Sequence, residues 1–72
     1  MDNNTVISKL KECVKKLKKD TLTLKTKRDA IPIDTIEEIQ QQIKLTNLIS
    51  KMIAERNSLE AIINEREAIN SS

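Results

Sequence analysis

Apolar residues recur at alternating intervals of three and four along the first thirty residues, the spacing of a helix that packs against another helix. They define two seam positions, occupied by Ile7, Val14, Thr21 and Arg28 and by Leu10, Leu17, Leu24 and Ile31. β-Branched residues at one position and leucine at the other favour a two-stranded seam of parallel chains. Thr21 and Arg28 interrupt the apolar pattern, so we expect the second half of this helix to pack less well. The helix should begin near Asn4 or Thr5, with Asn3 as a further N-cap candidate.

One break interrupts the helical pattern, at Pro32. Proline lacks the backbone donor that a helix interior needs, and it disfavours helical geometry at the preceding residue. Asp34 and Glu37 then follow the spacing of a capping box, in which two side chains satisfy free backbone groups at a helix start. No stretch shows the alternation of period two that is typical of a strand. The sequence therefore predicts helix, turn and helix, without a sheet.

A second apolar stripe runs from residue 35 to about residue 69 and covers three heptad positions in its later part. A stripe of this width can contact two neighbours, so we expect helix 1 on one side and a second copy of the chain on the other. The predicted fold class is all-α, a helix-turn-helix hairpin that forms a homodimer with coiled-coil-like or four-helix packing. The predicted core of hairpin and dimer consists of Ile7, Leu10, Val14, Leu17, Leu24, Ile36, Ile39, Ile43, Leu45, Ile49, Met52 and Ile53.

The pattern divides the chain into a basic helix (1–31), a proline-containing turn (32–34), a helix in the dimer core (35–57) and an amphipathic tail (58–72). The last boundary depends on Asn57 and Glu60, whose spacing repeats that of a capping box and allows a hinge. The alternative is that Asn57 and Ser58 are two weak helix formers inside one long helix. At roughly 1.5 Å per residue, helix 2 would reach about 50 Å and helix 1 about 40 Å. We therefore expect a hairpin to leave the tail uncovered by helix 1, unless a dimer covers it.

Size and composition indicate that the chain folds by association. It has 72 residues, one cysteine, and no aromatic residue, histidine or glycine. Below roughly 70–80 residues, a lone core rarely supplies more than about 3–5 kcal/mol, and small domains add disulfides, a metal or a partner chain. One cysteine excludes an internal disulfide, so we expect a twofold homodimer. Metal clusters, Cys-His nucleophiles and Gly-rich phosphate loops lack their residues, so we expect no enzyme activity and no cofactor.

The single cysteine, Cys13, fits a reducing cytoplasm better than a disulfide-rich secreted scaffold. It flanks the seam, where we interpret it as a small residue at the core edge; a thiol that cross-links a dimer is the alternative. The first residues contain no apolar signal sequence, and the apolar runs are too short to span a bilayer. We expect a cytoplasmic protein without a membrane partner.

The two halves of the chain differ in charge. Residues 1–31 carry nine basic and four acidic side chains, whereas residues 32–72 carry four basic and seven acidic ones. This split favours packing of the basic helix on the acidic one. The lysine-rich face has three interpretations: solvated surface, contact with nucleic acid phosphates, or contact with an acidic protein. Because helix 1 has one arginine and no aromatic residue, we do not expect nucleic acid as the partner.

The tail (58–72) is an amphipathic segment that suits a groove on another protein. One face carries Leu59, Ile62, Ile63, Arg66 and Ile69, and the other carries Glu60, Asn64 and Glu67. The alternative is that the first face only extends the dimer core. An apolar stripe left exposed by helix 1 would mark an interaction site, and Arg66 would add a charged anchor to it.

The tail sequence LEAIINEREAIN, in a short all-helical chain without aromatic residues, resembles the capsid size-determination proteins of staphylococcal pathogenicity islands. The resemblance implies a dimeric internal scaffold that binds the inner face of a helper phage's major capsid protein and redirects assembly to a smaller shell. It also implies location in the bacterial cytoplasm and transiently inside the procapsid. The C-terminal helix of that family engages the capsid protein. Carried over, the capsid-binding residues are Ile62, Ile63, Arg66, Glu67 and Ile69, with Leu59 on the same face.

Two other functions stay open on the residues alone. The first is a small dimeric nucleic-acid-binding regulator that uses Lys15, Lys16 and Lys19. The second is a helical inhibitor or adaptor that sequesters a host protein. A salt-dependent gel shift would favour the first, and a stoichiometric complex with a soluble protein would favour the second.

Overall fold

The computed structural model describes residues 2–71, which form two helices joined by a short turn. Helix α1 spans Asn3–Ala30 and helix α2 spans Ile36–Ser71. They pack side by side as an antiparallel hairpin that measures 56 × 16 × 14 Å. The prediction of an all-helical hairpin is confirmed, and its assembly into a homodimer stays a prediction. Met1 and Ser72, which the predicted segments include, lie outside the described residues.

The start of α1 differs from the expected one by a residue or two. Asp2 is the N-cap, and its carboxylate accepts a hydrogen bond from the Thr5 backbone N–H at 2.8 Å. This bond lowers the pKa of Asp2, because it stabilises the ionised carboxylate. Asn3 and Asn4, which were expected as caps, instead use their side chains to bind α2. The predicted N-cap is therefore wrong, because the asparagines have partners on the other helix.

The turn contains Pro32, as predicted, but the capping box lies one residue later than Asp34 and Glu37. The Thr35 backbone N–H donates to Glu38 Oε1 at 3.1 Å, and the Glu38 N–H donates to Thr35 Oγ1 at 3.2 Å. The threonine hydroxyl also donates to the same carboxylate at 3.0 Å. Two reciprocal bonds satisfy free donors at the helix start. The Asp34–Glu37 prediction is wrong because Glu38, which is half-buried, is the residue that points back to the turn.

The predicted seam of α1 is the face that packs on α2. Ile7, Val14 and Thr21 are buried, and the remaining seam residues are half-buried. Thr21 is only 3% exposed, so this position is closely packed although its hydroxyl interrupts the apolar pattern. Its Oγ1 atom has no hydrogen-bond partner within residues 2–71. The poorer packing expected in the second half of α1 is therefore a buried hydroxyl group without a hydrogen-bond partner in the described residues, and not an exposed seam position.

The seam of α2 follows the same alternation of three and four, but it is more polar than predicted. It comprises Glu38, Gln42, Leu45, Ile49, Met52, Arg56, Leu59, Ile63, Arg66 and Asn70. Ile49 and Ile63 are buried, and every other member except Asn70 is half-buried. Ile53 is half-buried beside this seam. The helix continues through Asn57 and Ser58 without a break, so the possible hinge is absent.

Three predicted core residues at the start of α2 lie outside the hairpin core. Ile36, Ile39 and Ile43 are 72%, 41% and 55% exposed. They follow the helical spacing, but they point away from the face that meets α1. These three therefore do not belong to the core within one chain, and their place in a dimer core stays a prediction.

The tail is covered by α1, contrary to the expectation from helix lengths. Gln42 Nε2 donates to the carbonyl oxygens of Arg28 and Ile31 at 3.3 and 3.1 Å, so the end of α1 lies beside Gln42. Asn3 contacts Arg66 and Asn70 at the other end. With 36 residues against 28, α2 is longer, but its surplus lies at the turn end. The overhang prediction is wrong because this register puts the extra length before Gln42.

Candidate protein-binding surfaces

Two ion pairs mark one edge of the hairpin. Lys11 Nζ lies 3.5 Å from Glu67 Oε1, and Lys18 Nζ lies 3.5 Å from Glu60 Oε1. The two lysines are seven residues apart on α1, and the two glutamates are seven residues apart on α2. Each pair of like residues therefore occupies the same heptad position, directly beside the seam. We call this side the ion-pair edge. Exposed pairs of this kind contribute about 0–1 kcal/mol each, but they place the basic helix beside the acidic one, as the charge split predicted.

A polar clasp closes the open end of the hairpin, where the first turn of α1 meets the last turns of α2. Asn3 Nδ2 donates to the Arg66 carbonyl oxygen at 3.0 Å and to Asn70 Oδ1 at 2.7 Å. Arg66 Nη1 donates to Asn3 Oδ1 at 2.9 Å, and Asn70 Nδ2 donates to Asn4 Oδ1 at 2.7 Å. We call these four residues the clasp. Sequence reasoning missed Asn3 and Asn70 in this role, although both fall on heptad seam positions.

The inner face of the tail packs within the chain. Ile63 is buried in a cluster with Ile7 and Val14, and Leu59 and Leu10 pack against it. Arg66 is half-buried and holds the clasp. Leu59, Ile63 and Arg66 were predicted to contact a capsid protein, but here they contact α1. In the closed hairpin, a partner could not reach the buried Ile63 without displacing α1, whereas the half-buried Leu59 and Arg66 keep part of their surface exposed.

The remaining predicted tail residues lie on the two edges. Glu67 belongs to the ion-pair edge through Lys11. Ile62 and Ile69 are 41% and 63% exposed. Ile62 and Ile69 each directly precede a seam residue of α2, and Val6 directly precedes a seam residue of α1. The ion-pair residues directly follow seam residues, so these three lie on the opposite edge of the hairpin. We call Val6, Ile62 and Ile69 the open-end patch.

The open-end patch has the shape of a shallow site for a side chain or a helix. A groove beside it is lined by Ile62, Glu65, Arg66 and Ile69. Val6 is half-buried, and Cys13 shares this edge one heptad further along α1. Cys13 is exposed and forms no disulfide within residues 2–71, and it directly precedes the buried Val14, so both interpretations of it stay predictions. The patch is apolar, and the groove beside it adds one carboxylate, Glu65, and one guanidinium group, Arg66.

Within residues 2–71, no three side chains among the cysteine, aspartate and glutamate residues cluster to hold a metal ion. Neither of the two described helices combines the length and the apolar character that crossing a membrane requires.

Comparison with protein-family models, curated proteins and solved structures finds no match to this chain. The resemblance to capsid size-determination proteins therefore depends on the residues of the tail and stays a prediction.

Proposed function

We propose that this chain is a non-enzymatic internal scaffold that binds a helper phage's major capsid protein and redirects its assembly to a smaller shell. The resemblance of the tail to capsid size-determination proteins suggests the capsid protein as the partner, which we call the client. The hairpin suggests how the tail is presented to it. The α1 helix and the clasp hold the tail as a straight helix with its inner face occupied. The tail therefore offers an outer edge, and not a free amphipathic face, to the client.

One observation carries this proposal. Ile62 and Ile69 are exposed one heptad apart on a tail whose neighbouring residues are fixed by α1. Two isoleucines at this spacing form a short stripe that a groove on a partner protein can accept. Because the tail is already helical and clasped, binding costs little conformational entropy.

In this proposal the predicted capsid-binding residues have different roles. Ile62 and Ile69 contact the client, and Arg66 borders the same groove while it holds the clasp. Leu59 and Ile63 position the stripe by packing on α1, and Glu67 helps through its ion pair. Substitutions at Ile63 would therefore act through the fold of the tail.

A scaffold must bind many subunits weakly and leave later. A small apolar stripe gives low affinity at one site, and two stripes on a homodimer raise the apparent affinity without new contacts. The proposed function therefore needs a dimer that keeps both open ends accessible to capsid subunits.

The test is co-expression of the chain with helper capsid protein, with particle diameters measured by electron microscopy. The variant Ile62→Glu with Ile69→Glu should return assembly to the larger shell. The matched control is Leu48→Glu, because Leu48 is an exposed residue two heptads before Ile62 on the same edge. We expect this control to keep the small shell. Small shells with the double variant, or no small shells with the unaltered chain, would refute the proposal.

A further inference from the structure

A groove lies between the two helices at the turn end of the hairpin. It is lined by Lys27, Ala30 and Ile31 at the end of α1 and by Gln41, Lys44 and Leu45 of α2. Its volume of about 530 Å³ is within the range of binding pockets, roughly 300–1,000 Å³. Lys27 and Gln41 directly precede the seam residues Arg28 and Gln42, so the groove lies on the same edge as the open-end patch. We call it the turn-end groove.

The base of the turn-end groove is apolar, and its two sides are held together. Ala30, Ile31 and Leu45 supply the aliphatic surface, and the last two are half-buried. Gln42 Nε2 donates to the Ile31 carbonyl oxygen at 3.1 Å, and the Ile31 N–H donates to the Arg28 carbonyl oxygen at 3.2 Å. These bonds fix the end of α1 on α2 before a partner arrives. Binding in the groove therefore requires little ordering of the backbone.

Lysine side chains flank the groove, one from each helix. The ion pairs within residues 2–71 use other cations, so the Lys27 and Lys44 ammonium groups are free to meet a partner's carboxylates. Among the described residues, no carboxylate lines the groove. Asp20 and Glu37 share the heptad positions of the two lysines, but each lies one heptad away, about 10 Å along the helix axis. The groove is therefore basic, although α2 carries more acidic than basic side chains.

The occupant of this groove must combine apolar surface with negative charge. A nucleic acid would offer phosphates to the lysines, but it would leave the apolar base without a partner. An acidic amphipathic helix meets both needs, because a leucine or isoleucine can enter the groove while glutamates beside it meet the ammonium groups. A basic helix of the same shape would be repelled, so the lysines also provide specificity.

We propose that the turn-end groove binds an acidic amphipathic helix of a partner protein. An apolar side chain of that helix packs on Ala30, Ile31 and Leu45, and its carboxylates pair with Lys27 and Lys44. Ala30 determines the space for the incoming side chain, because a larger residue at this position would fill the groove.

The turn-end groove and the open-end patch select different partners. The groove beside the open-end patch contains Glu65 and Arg66, whereas the charged residues that line the turn-end groove within residues 2–71 are lysines. Leu45 and Ile62 are 17 residues apart on α2, about 25 Å along the helix axis. Two partners can therefore bind this edge at once, and the proposal does not depend on the capsid protein as the client.

The first experiment compares two peptide probes on the full chain. Both are blocked helical peptides with leucines at positions i, i+3, i+4 and i+7, and glutamates beside the leucines in one are replaced by lysines in the other. Amide shifts of the labelled chain are followed by NMR during each titration. We expect the acidic peptide to bind with a dissociation constant below about 1 mM and to shift residues 27–31 and 41–45. No binding of the acidic peptide, or shifts centred on residues 62–69, would overturn the proposal.

Charge is tested by exchanging the sign of the groove. Lys27→Glu with Lys44→Glu should weaken binding of the acidic peptide at least tenfold and allow the basic peptide to bind, which also shows that the variant is folded. The matched control is Lys9→Glu with Lys16→Glu, which changes the net charge equally at exposed residues away from the groove. We expect less than a threefold change in the control. Equal effects of the two double variants would overturn the proposal.

Space is tested by filling the groove. Ala30→Leu should weaken binding of the acidic peptide at least tenfold, whereas Ala61→Leu, at an exposed alanine of α2, should change it less than twofold. Equal binding by these two variants would overturn the proposed seat of the apolar side chain.

Two other occupants are tested with the same Ala30→Leu variant. Sedimentation equilibrium of the chain alone reports a second copy, and co-sedimentation with vesicles of phosphatidylglycerol and phosphatidylcholine reports a lipid surface. We expect neither measurement to depend on Ala30. Self-association or vesicle binding that is lost in Ala30→Leu would overturn the proposal in favour of that occupant.

Discussion

Asn3 and Arg66 bind each other through two hydrogen bonds across the open end of the hairpin. The asparagine amide donates to the Arg66 carbonyl oxygen at 3.0 Å, and the guanidinium group donates back to the asparagine oxygen at 2.9 Å. The two residues are 63 positions apart in the sequence. This contact holds the last turns of α2 against the start of α1, so the inner face of the tail lies towards α1.

Replacing Asn3 should loosen the tail. Asn3→Ala removes both bonds to Arg66 and the bond to Asn70, and we expect a loss of about 1–2 kcal/mol in the free energy of unfolding. Urea denaturation measures this change, and amide exchange should quicken for residues 63–70. Asn57→Ala is the control, because Asn57 is exposed on the same helix as Arg66. Equal stability of the two variants would show that the clasp does not hold the tail.

Removing the Thr21 hydroxyl should stabilise the hairpin. The group is buried in the seam without a partner in the described part of the chain, and valine has nearly the same shape. We expect Thr21→Val to raise the free energy of unfolding by about 1 kcal/mol. The control is Thr23→Val, where the exposed hydroxyl bonds the Lys19 carbonyl oxygen at 3.1 Å. If Thr21→Val lowers stability, the hydroxyl has a partner that this account lacks.

Two substitutions at the start of α2 distinguish the predicted capping box of Asp34 and Glu37 from the observed one of Thr35 and Glu38. Thr35→Ala should cost about 1 kcal/mol, because it removes the hydroxyl that accepts from the Glu38 backbone N–H and donates to the Glu38 carboxylate. Asp34→Ala should change stability by less than about 0.5 kcal/mol, as is usual at an exposed surface position. Thermal unfolding of the two variants checks the assignment. The reverse order of effects would move the box back to Asp34.

The N-cap residue Asp2 should make the free energy of unfolding fall as the pH is lowered. The pKa of Asp2 is lowered by the bond from the Thr5 backbone, so ionised Asp2 favours the folded state. This contribution is fully present above the ordinary pKa of an aspartate, about 3.9, and it is lost as the pH falls through the lowered pKa. Asp2→Asn should therefore lose less stability than the unaltered chain between pH 5 and pH 2.5. An Asp2 carboxyl that titrates at or above its ordinary pKa by NMR would contradict this.

The seam of α1 was predictable because most of the apolar residues of this helix fall on the two seam positions. The seam of α2 was predictable only in part, since Gln42, Arg56 and Asn70 share it with Ile49 and Ile63. Exposed isoleucines elsewhere on α2 broaden the apolar stripe, so the pattern alone does not show which side meets α1.

The covering of the tail could not be predicted from helix lengths. Register depends on where the surplus length of α2 falls, and Gln42 sets this by bonding Arg28 and Ile31 at the turn. Polar contacts of this kind leave no trace in the hydrophobic pattern. The candidate site consequently moved from the inner face of the tail, around Ile63, to its outer edge at Ile62 and Ile69.

The central claim is that the tail works while α1 still covers its inner face. A chain with Cys13→Ser, Asn3→Cys and Asn70→Cys should form a disulfide across the clasp within one chain, because these side chains already lie in contact. In assembly reactions with purified capsid protein, we predict that this locked hairpin yields small shells as efficiently as its reduced form. Loss of small shells on oxidation, restored by a reducing agent, would show that the tail must leave α1 to bind and would contradict the account.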